Sequence, residues 1–197
     1  VVEWCWENSI PVSGLPEREN IAIPPYPVDG DTNKEARNEW ARTASGIHKR
    51  NLSTISKRVL CTRIIDLAKK FKNNRFFLPS NCDFRGRVYM MPSFINPQGP
   101  PLCKGLLEFN REARIKKPED AKWLAIHGAN CFGNDKISLK EREKWAYGFG
   151  EDAIRIAADP KQNTDWIQAD NPFSFLAWVF EWAEYYATFK TGKPRLK

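Results

Sequence analysis

The residues best suited to chemistry in this sequence are two arginines that flank a glycine in the segment DFRGRVY, residues 83–89. Arginine carries a planar set of donors that matches a phosphate or a carboxylate in bidentate fashion. Glycine lets the backbone approach a ligand closely, so that its N–H can meet an anionic oxygen. Asp83 could pair with one of the arginines, and Tyr89 lies two residues after Arg87, which places both on one face of a strand. The pattern therefore indicates either an anion-binding turn or a surface hairpin with a local ion pair.

Other chemical signals in the sequence are weaker. Lys104 follows a predicted turn at residues 96–99 and could contact a phosphate, although most lysines are simply exposed. His127 is predicted to pack within a helix rather than to act as a catalyst. The sequence contains neither the GxxxxGK[ST] pattern of P-loop ATPases nor a serine in a GxSxG context. Its five cysteines include no CxxC pair, so we expect reduced thiols and neither a zinc site nor a disulfide framework.

Positive charge is concentrated in one tract of the chain. The 197 residues have a net charge of +7, but residues 31–117 carry nineteen basic and seven acidic side chains, a net charge of +12. Residues 1–30 have a net charge of −4, and residues 118–185 have a net charge of −5. A well-solvated helix surface would explain many basic runs. A contiguous tract of this size between acidic flanks more often marks a polyanionic partner such as nucleic acid.

The composition indicates a folded chain of one domain or pieces of two. Aromatic residues make up 13% of the sequence, whereas disordered chains are poor in them. The densest apolar run, residues 173–180, is too short to span a membrane, so we expect no membrane partner. Because the sequence opens on Val1 rather than Met, we expect it to be an internal piece of a longer protein.

Hydrophobic spacing in the first half of the chain predicts a loop and then helix. Residues 11–33 are rich in proline and are predicted to form the loop. From Asp31 to Asn73, apolar residues recur at helical spacing, which predicts a helical pair or one bent long helix. Asn51 or Ser53 could cap the second helix of such a pair.

The second half is predicted to combine short strands with buried helices. The predicted strands are residues 76–78, 88–90 and 106–109. The predicted helix starts are Pro118, the capping box that begins at Ser138, and Asn171-Pro172. The last helix is apolar on most faces, is predicted to be buried, and should end at Gly192 and Pro194. The predicted fold class is therefore mixed, mainly α with short antiparallel strands.

Four blocks of the sequence resemble the single-subunit DNA-directed RNA polymerases of bacteriophages and mitochondria. The blocks are DFRGRVY, FINPQGPPLCKGLLEF, AIHGANCFGNDK and DNPFSFLAWVFEWA, in the family's order and at similar separations. The resemblance implies part of a right-hand fold with palm, thumb and fingers. It places the end of an N-terminal region and a connecting loop at residues 1–33, thumb-like helices at 34–77 and the N-terminal part of the palm at 78–197.

The resemblance also implies roles for the residues of the DFRGR turn, which lies near the RNA–DNA hybrid in the family. Arg85 and Arg87 would contact the nucleic-acid backbone, Gly86 would permit its close approach, and Tyr89 would lie against the template. Asp83 would orient the two arginines.

Catalysis is expected to depend on residues that this chain lacks. Lys104 matches the lysine of the family's KGLL block and is a weaker candidate for a backbone contact. The family's nucleotidyl transfer uses two magnesium ions held by palm aspartates, which we expect beyond Lys197. The resemblance thus implies no catalytic residue and no metal ligand here, with Mg²⁺ as cofactor of the complete enzyme and an inactive piece in isolation.

The resemblance implies a DNA template, an RNA product and nucleoside triphosphates as partners of the complete enzyme. It implies an intracellular location, in the host cytoplasm for a phage enzyme and in a mitochondrion or plastid for an organellar one. Two alternatives from other classes remain at this point. One is a non-enzymatic basic nucleic-acid-binding module, and the other is a helical interaction domain whose charge only keeps it soluble.

Overall fold

The computed structural model describes residues 1–111, 115 and 117–191. That part of the chain is mainly helical, with one pair of short antiparallel strands, which confirms the predicted fold class. Its α-helices are α1 (Val2–Glu7), α2 (Lys34–Phe71), α3 (Pro101–Leu106), α4 (Ala121–Phe132), α5 (Leu139–Gly148), α6 (Gly150–Ala158) and α7 (Pro172–Thr191). The strands are β1 (Ser80–Cys82) and β2 (Val88–Met90). Over the described residues, none of the helices combines the length and apolar character that crossing a membrane requires.

Helix α2 is one continuous helix of 38 residues. Asn33 caps it, because its side-chain oxygen accepts two backbone N–H groups of the first turn, each at 3.1 Å. The predicted second start at Asn51 or Ser53 was wrong, since α2 runs through both residues. The Asn51 amide is used elsewhere: it accepts from the N–H of Ile21 and donates to the C=O of the same residue, both at 2.9 Å.

The predicted loop before α2 lies along that helix. Trp40 donates from its indole N–H to the C=O of Pro24 at 2.8 Å, and its ring meets that of Tyr26 edge-on at 5.1 Å. Arg58 donates to oxygens of the segment 17–20 at 2.6 and 3.0 Å. Polar groups of this segment are therefore hydrogen-bonded by side chains of α2, rather than by a neighbouring strand or within a helix.

Two of the three strand predictions between α2 and α4 were wrong. β1 begins after Pro79 rather than at residues 76–78, since the C=O of Pro79 accepts from the N–H of Met91 at 2.9 Å and pairing proceeds from there. Residues 106–109 do not form a strand. Pro101 stands at the first position of α3, where its fixed φ favours helix, and α3 packs on α7.

Helix α7 is the centre of the hydrophobic core, as its sequence predicts. Helices α3, α4 and α6 pack against it, and α5 packs on α4. Its buried apolar side chains are Phe173, Phe175, Leu176, Trp178, Val179, Trp182 and Ala183. The predicted starts at Ser138 and Pro172 are confirmed, the first by a capping box between Ser138 and Glu141. The predicted stop at Gly192 and Pro194 lies outside the described residues.

Glycine allows α4 to approach α7 closely. A Cβ atom on Gly128 would lie 2.0 Å from the indole ring of Trp178. The same indole donates from Nε1 to the C=O of Leu124 at 2.8 Å, so the ring is held against the α4 backbone. The loop that follows the hairpin is joined to this helical core, because Sγ of Cys103 in α3 donates to the C=O of Phe94 at 3.0 Å.

Candidate nucleic-acid interface

Strands β1 and β2 form a hairpin whose turn is organised by one carboxylate. The register pairs Ser80 with Met90 and Cys82 with Val88. Asp83 stands at the start of the turn, and its Oδ1 accepts the backbone N–H groups of Arg85 and Arg87 at 2.8 and 2.9 Å. A side chain that binds backbone N–H groups two and four residues ahead fixes the path of the turn.

The carboxylate of Asp83 also meets one of the two guanidinium groups. Its Oδ2 lies 3.4 Å from Nε of Arg85, a long contact for an ion pair. The Asp83 side chain is 19% exposed, whereas that of Arg85 is 54% exposed. The Asp83 side chain therefore restrains the guanidinium group of Arg85 weakly. Its contact with Arg87 is made to the backbone N–H of that residue.

These hydrogen bonds lower the pKa of Asp83. The largest contribution is the backbone N–H of Arg87, with further contributions from Arg85 and from the side chain of Tyr89, while partial desolvation opposes them. A carboxylate whose pKa is lowered by folding stabilises the fold above its unfolded value of 3.8. That contribution is lost as the pH falls through the lower, folded value.

A pH titration followed by amide NMR should report this coupling. The Arg85 and Arg87 amide signals are expected to move together with a midpoint below 3.8, because both N–H groups donate to the same oxygen of Asp83. The variant Asp83→Asn keeps an acceptor oxygen but has no charge to titrate, so the shared transition should disappear. A midpoint at or above 3.8 in the parent chain would contradict the geometry.

Gly86 is at the apex of the turn. Its φ of +75° lies in the left-handed region that favours glycine, and a Cβ placed there would meet no atom within 4 Å. Its N–H donates to the C=O of Asp83 at 3.0 Å. The backbone conformation therefore favours glycine at this position, and the space above the turn is open. The N–H of Gly86 is bonded within the turn rather than to an anion.

The side chains of this turn extend into solvent. Arg85 and Arg87 are both exposed, and Tyr89 is 45% exposed. Phe84, which is not among the predicted site residues, is 95% exposed at the tip, with the guanidinium carbon of Arg85 5.2 Å from its ring centroid. An apolar aromatic residue inside a charged turn was the signal that could have identified it.

Lys104 is placed on a different element from the other predicted site residues. It lies in α3 and is exposed. Its charge acts on Cys131 of α4, where it opposes the rise in the pKa of that thiol. The structure thus brings Asp83, Arg85, Gly86, Arg87 and Tyr89 together in the hairpin and puts Lys104 on the neighbouring helical core.

The cysteine and histidine of α4 are not arranged for nucleophilic chemistry. Sγ of Cys131 lies 3.6 Å from Nε2 of His127. Burial raises the pKa of Cys131 to about 11 and lowers the pKa of His127, so both groups favour their neutral forms. A reactive thiolate needs the opposite shifts. This geometry supports the interpretation of His127 as a structural residue.

Exposed basic side chains of α2 extend the positive region beyond the hairpin. Arg58 is half-buried, and Lys69 forms an ion pair with Glu3 of α1. The remaining basic residues of α2 are exposed: Lys34, Arg37, Arg42, Lys49, Arg50, Lys57, Arg63 and Lys70. Exposed cations distributed along a long helix can contact a polyanion without reading its sequence.

Comparison with known proteins identifies relatives over most of the chain. A family model described as DNA-dependent RNA polymerase matches residues 116–193. The chain is 41% identical to the DNA-directed RNA polymerase of Enterobacteria phage T3 over 179 residues, which cover 90% of this chain and 20% of that protein. The T7 RNA polymerase of Escherichia phage T7 is 40% identical over 179 residues, with the same coverage.

An organellar relative matches a similar stretch. The DNA-directed RNA polymerase 1B, mitochondrial, of Nicotiana tabacum is 33% identical over 189 residues, which cover 93% of this chain and 18% of that protein. Phage and organellar enzymes are the two settings that the resemblance predicted. The chain spans about a fifth of the length of the curated relatives it matches. Because these matches cover at least 90% of the chain, they include the hairpin Ser80–Met90.

Proposed function

Because the chain belongs to the family of DNA-dependent RNA polymerases, we propose that its β1–β2 hairpin holds the phosphate backbone of an RNA–DNA hybrid. One observation carries this proposal. The Asp83 carboxylate is occupied by the backbone of its own turn, and the turn projects the exposed side chains of Arg85 and Arg87 into solvent. Two guanidinium groups on a rigid turn suit two phosphate contacts, because each can donate a pair of hydrogen bonds.

The grip that we propose is independent of sequence. Phosphate contacts set the position of a duplex without reading its bases, which is what an enzyme that moves along every template requires. Tyr89 would lie against the template beside the arginines, and Lys104 would add a more distant charge. In the complete protein, this grip would hold the product duplex while nucleoside triphosphates are joined along a DNA template.

The domain assignment is part of the same proposal. Residues 34–77 would form the thumb-like section, which suits a helix of 38 residues with exposed basic side chains. Residues 78–197 would form the N-terminal part of the palm, with the hairpin at its start. The stretch 116–193 that matches the family model falls within this second section.

The described residues do not fit the magnesium ions that the family's reaction uses. Asp83 is the acid closest to the proposed phosphate contacts, and its oxygens already accept from two backbone N–H groups and lie near Arg85. Elsewhere in the described ranges, no three His, Cys, Asp or Glu side chains are grouped as a metal would require. We therefore propose that the chain binds nucleic acid and that its described residues contribute no metal ligand.

Photo-crosslinking from the tip of the turn tests the proposal. Phe84 is 95% exposed, so its replacement by benzoylphenylalanine should leave the fold intact while placing a reactive group beside Arg85. We expect crosslinks to a labelled RNA–DNA hybrid from this position. The matched control is the same replacement at Leu139 of α5, which is 45% exposed in the acidic part of the chain. Equal labelling from both positions would overturn the proposal.

A further inference from the structure

Strand β2 has an outer edge whose backbone groups face away from β1. The N–H of Asp83 donates to the C=O of Arg87 at 3.0 Å. The backbone groups of Asp83 and Arg87, at this end of the ladder, therefore point towards each other. In an antiparallel pair, inward and outward residues alternate along the strand. The C=O of Val88 and the N–H of Met90 therefore point outward, and within the described ranges the sheet has no third strand to meet them.

One side chain satisfies both outward groups. Gln98 donates from Nε2 to the C=O of Val88 at 2.9 Å and accepts at Oε1 from the N–H of Met90 at 2.9 Å. Its amide thus occupies the place that a peptide group of a third strand would take. We propose that Gln98 is a positioning residue, which fixes the edge of β2 and so the direction in which Arg87 and Tyr89 face the nucleic acid. This inference rests on the function proposed above.

Gln98 is itself held by its loop. Its N–H donates to the side-chain oxygen of Asn96 at 2.9 Å, and the amide nitrogen of Asn96 donates to the C=O of Pro92 at 2.8 Å. The loop is tied in turn to α3, because Sγ of Cys103 donates to the C=O of Phe94 at 3.0 Å. Cys103 is fully buried where α3 packs on α7.

These contacts connect the helical core to the hairpin edge. A flexible glutamine on a mobile loop could not define the direction of a neighbouring strand, whereas a glutamine anchored through its own backbone can. The edge of a short two-stranded hairpin is otherwise weakly specified, since such hairpins are marginal in water. The loop 92–100 thus connects α3 to β2, and it contacts β2 through Gln98.

The direct structural test is amide hydrogen exchange in the variant Gln98→Met. Methionine has a similar length but neither an N–H donor nor a strong acceptor, so both contacts to β2 are lost. The Met90 N–H is expected to exchange about tenfold faster, since it loses its partner. Gln162→Met, at an exposed glutamine in the turn after α6, is the matched control and should leave this exchange rate unchanged. Equal rates for Met90 in the parent and in Gln98→Met would overturn the inference.

A double-mutant cycle separates positioning from a general loss of structure. Gln98→Met is expected to weaken binding of an RNA–DNA hybrid about three- to fivefold in the parent chain, the scale of one or two weak hydrogen bonds. In an Arg87→Ala background the same change should weaken binding less than in the parent chain, because Arg87 is absent and only Tyr89 remains to be positioned. Fully additive losses would show that Gln98 does not act through Arg87.

The two measurements also distinguish failure of this inference from failure of the proposed function. If Arg87→Ala weakens binding but Gln98→Met does not, the proposed function stands and the positioning role is wrong. If Arg87→Ala leaves binding unchanged, the proposed function is wrong. The inferred effect of Gln98 on the affinity for nucleic acid is then wrong as well. Exchange at Met90 would then still show whether Gln98 holds the edge of β2.

Discussion

Replacing Trp182 with alanine is expected to lower the free energy of unfolding by about 3–5 kcal/mol, the range for truncating a large aromatic residue in a core. Trp182 is fully buried in α7, and its ring stacks on Trp178 at 5.4 Å between centroids. Its indole N–H also donates to the C=O of Ala146 at 2.9 Å, so truncation leaves a buried carbonyl without that donor. The free energy of unfolding of a typical domain is about 5–15 kcal/mol, so this substitution should remove much of the chain's stability.

Urea denaturation followed by far-UV circular dichroism measures this loss. Trp123→Ala is the matched control, because Trp123 is 66% exposed on α4 and its removal should change stability by no more than about 0.5 kcal/mol. Trp182→Phe keeps an aromatic ring but removes the N–H donor, and we expect an intermediate loss. Similar unfolding midpoints for the two alanine variants would show that α7 is not the centre of the core.

Removing the two arginines of the turn should have the largest effect on binding. Arg85→Ala and Arg87→Ala are each expected to weaken binding of an RNA–DNA hybrid about tenfold, and the double variant about 100-fold at low salt. Both side chains are exposed, so their loss should leave the fold intact. Equilibrium binding followed by fluorescence anisotropy gives the dissociation constants directly.

The control for this experiment is a cation outside the proposed interface. Lys136 lies between α4 and α5, with its side chain 89% exposed, and the variant Lys136→Ala removes the same charge as one arginine. Its affinity for the hybrid should stay within about twofold of the parent value. A loss as large as that of Arg87→Ala would mean that net charge, rather than the turn, governs binding.

The sequence was most informative where local chemistry decides the structure. Helix α7 starts at Pro172 and packs at the centre of the core, because proline is favoured in the first turn and the residues that follow are apolar on most faces of the helix. Ser138 and Glu141 cap α5 reciprocally, a pattern that needs only four consecutive residues. The DFRGR turn was selected from its residue types, and the structure places all of its predicted site residues in one hairpin.

Predictions from the sequence were wrong where a tertiary contact determines the local structure. Asn51 has the residue type of a helix cap, but its amide binds the backbone of Ile21, 30 positions away, and α2 continues through it. Residues 106–109 are mostly apolar, as in a strand, but Leu106 ends α3, which packs on α7, and Phe109 is 88% exposed. Gln98 was interpreted as part of a turn, because its two bonds to β2 depend on a register that no local pattern encodes.

The central claim is that this turn makes phosphate contacts, and the salt dependence of binding tests it most directly. For the parent chain and an RNA–DNA hybrid, the slope of log affinity against log salt is expected to be about −2 to −4, which corresponds to about two to four phosphate contacts. The double variant Arg85→Ala/Arg87→Ala should have a slope smaller in magnitude by about 2, one unit for each arginine removed. Parallel slopes for the parent and the double variant, or a parent slope near zero, would contradict the account.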